Sequence, residues 1–188
     1  MAFPKQRGET IEIYANNRYQ EIIVHNLLTI SAIIEIIALI IWVGGLTSLT
    51  LLAAPAIFQT ASSRENAGRA FGLILKRFHR LGWGCGVAIL IAGGIRYAGR
   101  YTQQLYVAEY SRYLLDLLML GLSLYTGIII ARRLEKLRHG MAEGIDRVAN
   151  DDPRRVEFNR LHGQSTALTA FMLLLGLAMA ILFGLEVY

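Results

Sequence analysis

The chain has a single cysteine, Cys85. No intrachain disulfide can form, and the redox state of the compartment leaves no mark on the sequence. Charge is scarce too. Of 188 residues, 18% are charged and 54% are hydrophobic, an apolar bias above the usual soluble range. The signatures of soluble catalysis are missing: no phosphate loop, dinucleotide fingerprint, nucleophile elbow or His-Glu-x-x-His zinc helix is present. The cysteine-anchored attachment of a c-type haem is absent as well. The first 26 residues are polar and mixed in charge, unlike a secretory signal, so the first apolar run reads as a retained anchor.

The sequence does contain four apolar runs: Ile30 to Leu52, Leu81 to Ala98, Leu114 to Ala131 and Thr166 to Leu185. About 20 apolar residues cross a bilayer core as helix. Four such runs leave no room for a sizeable soluble domain. The predicted fold is all-α, an integral membrane four-helix bundle over residues 27–188, after a polar lead-in at 1–26 that is amphipathic or strand-like.

The net charge of +5 invites a nucleic-acid partner, but the distribution of the charge argues against one. Five Lys and Arg residues lie between the first and second runs, and eight between the third and fourth. The segment before the first run holds three, the second-to-third segment three and the last none. Basic residues beside apolar spans set topology, and the richer loops stay in the cytoplasm. Both termini are therefore expected outside, with helices 2, 3 and 4 extended on the cytoplasmic side.

Local signals refine this picture. Leu27 to Phe58 would be about 48 Å long as a helix, so it should tilt, project or kink near Pro55. Ser62 and Glu65 fit a capping box. Phe71, Ile74, Leu75, Phe78 and Leu81 then form a helical stripe leading into the second span. Gly82 and Gly86 permit close helix contact. Tyr97, Tyr101, Tyr106, Tyr110 and Tyr113 read as an interfacial aromatic belt. The third span continues to about Leu137. His139 to Asp151 reads as a flexible loop, and Asp152-Pro153 as an N-cap and first helical residue.

Several segments carry a resemblance: Trp42-Val43-Gly44-Gly45-Leu46, Ala53-Ala54-Pro55-Ala56-Ile57-Phe58, Glu65-Asn66-Ala67-Gly68-Arg69, Lys76-Arg77-Phe78-His79-Arg80-Leu81 and Arg160-Leu161-His162-Gly163. Over residues 27–186 the chain resembles a four-span membrane family of unknown function, with bacterial members and a eukaryotic transmembrane protein associated with cisplatin resistance. More distantly it resembles copper-resistance protein D. The resemblance implies a four-helix membrane bundle, with the bacterial inner membrane as its location, and supplies little mechanism. The lead-in before the first span lies outside the pattern.

Two sets of residues can carry chemistry. His79 and His162 fall at the cytoplasmic ends of their helices, at similar depth. Facing imidazoles on neighbouring helices can ligate the iron of a b-type haem, or hold copper or zinc. Gly82 and Gly86 would admit the macrocycle, and Arg77, Arg80 and Arg160 its propionates. Asn159, His162, Thr166 and Thr169 form a polar stripe that should face the bundle interior. The bland reading makes both histidines boundary residues, with His25 interfacial and His139 solvated. The second set is Glu35, Arg96 and Asp116, intramembrane charges on the outer side. They suit a structural Arg96–carboxylate pair, a proton or cation relay, or the edge of a quinone site. Cys85 reads as a packing residue. Met119, Met172 and Met179 are isolated and form no copper ladder.

The leading expectation is a non-catalytic electron-transfer subunit and membrane anchor, with one haem b between His79 and His162. It would work with the bilayer, other subunits of a membrane complex or quinone. Two alternatives stay open. One is a cofactor-free structural or accessory subunit. The other is a small metal-handling or transport protein.

Overall fold

The computed structural model describes residues 4–99, 107–141, 144–145 and 147–186. Tyr101 and Tyr106 of the expected aromatic belt lie outside them. Four helices are long and apolar enough to cross a membrane: Asn16–Thr60, Arg64–Ala98, Tyr110–His139 and Pro153–Gly184. The first is built from α1 (Pro4–Leu39), α2 (Gly45–Ser48) and α3 (Ala54–Thr60), joined by π-helical segments at Ile40–Gly44 and Leu49–Ala53. The second is α4 (Arg64–Gly99). The third is α5 (Val107–Leu124), a π segment at Tyr125–Ile130, and α6 (Ala131–His139). The fourth is α7 (Pro153–Glu186). There is no strand among the described residues, so the lead-in is helical from Pro4.

Burial is inverted relative to a water-soluble bundle. Large apolar side chains such as Ile33, Ile37, Leu117, Leu174 and Ile181 are exposed. Ser31, Glu35, His79, Arg96, Arg112, Asp116 and Ser123 are buried. An apolar girdle this extensive needs lipid as its solvent, and intramembrane charge turns inward to find partners. The protein is therefore an integral membrane bundle. α1 packs on α4, α4 on α5, and α5 on α7, which also meets the first π segment. The apolar core joins all four spans through Trp42, Ile89, Met119 and Met179, with Cys85 packed among them.

Trp42 sets the spacing of the first two spans. A Cβ on Gly82 would stand 2.7 Å from the indole Nε1, and one on Gly86 2.8 Å from an indole ring carbon. The flat group lying on these two glycines is thus a side chain of the protein itself.

Helix ends follow local chemistry, with some departures from expectation. The cap of α4 is Ser63, whose Oγ accepts the Asn66 N–H at 3.1 Å. Glu65, expected to close a capping box with Ser62, instead pairs with Arg69 at 2.6 Å. The first span does not break at Pro55. Pro55 has no N–H to donate, and the helix widens to π geometry just before it, at Leu49–Ala53. Described residues of the connection after α6, a segment expected as a flexible loop, make anchoring contacts. Met141 is buried, Arg154 donates to the Gly140 carbonyl at 2.8 Å, and Arg155 donates to the Val148 carbonyl. Gly144 turns the chain at φ 89°, a left-handed conformation that favours glycine, with Glu65 packed where a side chain would stand.

Candidate intramembrane charge site

All four spans contribute to one buried polar cluster. Glu35 comes from α1, Arg96 from the end of α4, Arg112 and Asp116 from the start of α5, and Phe183 from α7. Arg96 Nη1 donates to Glu35 Oε2 at 2.7 Å, and Arg112 Nη2 lies 3.4 Å from Glu35 Oε1. Both guanidiniums stand over the Phe183 ring, at 5.7 Å and 4.8 Å from its centroid, close enough for cation–π attraction. One turn before Glu35, the Ser31 hydroxyl is spent on the Leu27 carbonyl at 2.7 Å.

Asp116 differs from its neighbours. Its exposure is 0%, and neither carboxyl oxygen has a hydrogen-bond partner among the described residues. It shares a helix face with Arg112 at i, i+4 spacing. Burying a carboxylate without donors is costly. The site thus holds one carboxylate embraced by arginine and one carboxyl with no donor among the described residues.

A second polar group lies nearer the basic end of the bundle. Ser123 Oγ accepts the Trp83 indole N–H at 3.2 Å and is 3.0 Å from His79 Nδ1. A hydroxyl has two lone pairs and one proton, so it satisfies both rings. Gly127, one turn on, leaves room for them, since a Cβ there would be 3.0 Å from both the imidazole and the Trp83 ring. His79 therefore faces the third span.

His162 is exposed and stacks on Phe158 of its own helix at 6.2 Å between ring centroids. No ring contact or hydrogen bond joins His79 to His162 among the described residues. The polar stripe of α7 does not turn inward as a whole. Asn159, His162 and Thr166 are exposed and only Thr169 is buried. The two threonine hydroxyls are satisfied by carbonyls of their own helix. Arg77, Arg80 and Arg160 are exposed, with no hydrogen bond or ion pair among the described residues.

Sequence reasoning missed Arg112 and Phe183 in the charge cluster, and Ser123 and Trp83 around His79. Arg112 had a usable signal, because it stands one helical turn before Asp116. Ser123 had none, since a lone serine in an apolar helix commonly bonds its own backbone.

One family model matches the chain, that of a domain of unknown function (DUF4149), over residues 37–143. No curated protein matches, and no solved structure matches. The matched region is more than half of the chain. It holds Arg96, Arg112, Asp116, His79 and Ser123, whereas Glu35 and Phe183 lie outside it.

Proposed function

We propose, for a chain that belongs to the DUF4149 family, a small membrane transport protein whose exchange step is proton uptake and release at Asp116. The observation that carries this reading is the donor-free, fully buried Asp116 carboxyl beside the Glu35–Arg96–Arg112 network. A buried acid with no donor holds a proton in the resting bundle. A rearrangement that brought either guanidinium onto it would release that proton, because charge-assisted pairing favours the carboxylate. Glu35 already takes the arginines in the resting state, so the two acids compete for the same partners. The π segments of the first and third spans supply local plasticity, as such segments commonly do at working sites.

The test is proton flux into proteoliposomes carrying an internal pH indicator, under an imposed potential. Wild-type protein should acidify the lumen, and Asp116→Asn, which is nearly isosteric, should reduce flux to the level of empty vesicles while folding normally. Equal flux in the two proteins would overturn the proposal.

A further inference from the structure

A groove of about 380 Å³ runs along the outside of the bundle between the first and second spans. Ile34, Ile37 and Ile41 form one wall, at i, i+3 and i+7 of α1 and the π segment that follows it. Gly84 and Ala88 of α4 form the other, and Arg80 closes one end. The two helices run antiparallel, with Trp42 opposite Gly82 and Gly86, and Phe78 against Gly45. Arg80 therefore stands at the Ile41 end, where the apolar part of α4 begins. A Cβ on Gly84 would meet nothing within 4 Å, so this wall of the groove is open.

We propose that this groove seats one acyl chain of an anionic phospholipid, with the lipid phosphate on Arg80. Apolar walls facing the bilayer accept a hydrocarbon chain and reject water. Arg80 is exposed and has no hydrogen bond or ion pair among the described residues, although it sits at the mouth of an apolar channel. An arginine placed there reaches toward the interface and takes an anion from it. Basic pockets between transmembrane helices bind anionic headgroups in this way. Arg77, one turn away and also exposed, adds positive potential at the same end. Lys76 contributes less, because it lies 3.7 Å from the Glu135 carboxylate. The site is distinct from the Asp116 cluster and stands or falls separately.

Native mass spectrometry of the full-length protein, released from mixed phosphatidylglycerol and phosphatidylcholine micelles, reads the site directly. Wild-type protein should retain phosphatidylglycerol over phosphatidylcholine by about fivefold, the equivalent of ~1 kcal/mol for one basic residue near an anionic headgroup. Arg80→Gln should bring the ratio most of the way to one, with Arg77 holding the small remainder. Gly84→Leu, which fills open space, should reduce retention of both lipids. Arg160→Gln, an exposed arginine on α7, should leave the ratio unchanged. The assignment fails if Arg80→Gln keeps the wild-type ratio, if Gly84→Leu retains lipid as wild type does, or if Arg160→Gln lowers the ratio as far as Arg80→Gln.

Discussion

Glu35 is the residue on which the intramembrane site turns, because one carboxylate serves two guanidiniums from two other helices. Removing it leaves two cations of the bundle interior without that partner. Breaking a buried ion pair by deleting one member costs about 3–5 kcal/mol. Glu35→Ala should therefore lower unfolding stability by that amount in mixed-micelle denaturation, and an effect below about 1 kcal/mol, the scale of a surface pair, would show that water reaches the cluster. Glu35, Arg96 and Asp116 were legible in the sequence because a charge inside an apolar run stands out. Their arrangement was not, since which carboxyl meets which arginine depends on helix rotation and depth. Nothing in the sequence singles out Glu35 as the paired acid and Asp116 as the one left without a donor. The same limit applies to His79. Its type and depth suggested a ligand, but its partner is Ser123, 44 residues away.

The helices were the most legible elements, because apolar length alone defines a span, and their ends were legible wherever side-chain chemistry fixes them. Asp152 shows this at the start of α7. Its Oδ1 accepts the Arg154 backbone N–H at 2.8 Å, and Oδ2 meets the Arg154 guanidinium at 2.7 Å. The Arg154 side chain first, and its backbone N–H second, hold the Asp152 carboxyl down at about 2. A depressed carboxyl stabilises the fold above its unfolded value of about 3.9, and that contribution disappears as pH falls through about 2. Hydrogen-exchange protection at the first turn of α7 should decline between about pH 4 and pH 2, and Asp152→Asn should flatten the decline. Unchanged protection across that window would show that the cap contributes nothing. The π segments were not legible. They leave no compositional trace except Pro55, whose missing N–H fits a kink as well as the widened helix that precedes it.

Most of the Lys and Arg residues lie at one end of the molecule, on the connection between the first and second spans and on the α6-to-α7 side, while the charge cluster with Arg96 and Arg112 lies toward the other. If positive-inside topology holds, a cysteine placed at Ser62 in a Cys85→Ala background should resist a membrane-impermeant maleimide in intact cells, and one placed at Tyr110 should react. The opposite pattern would invert the bundle and put the Asp116 cluster nearer the cytoplasm. The inverted burial, apolar outside and polar inside, followed from the composition. The convergence of four helices on the Glu35–Arg96–Arg112 group, with the Asp116 carboxyl buried beside it, did not, because it exists only once the bundle closes. That carboxyl carries the account, and infrared difference spectroscopy of the reconstituted protein reads its proton directly. Wild-type protein should show a carboxylic-acid C=O band at neutral pH that shifts in D₂O and is absent from Asp116→Asn. A band missing from the wild type, or one that Asp116→Asn leaves unchanged, would contradict it.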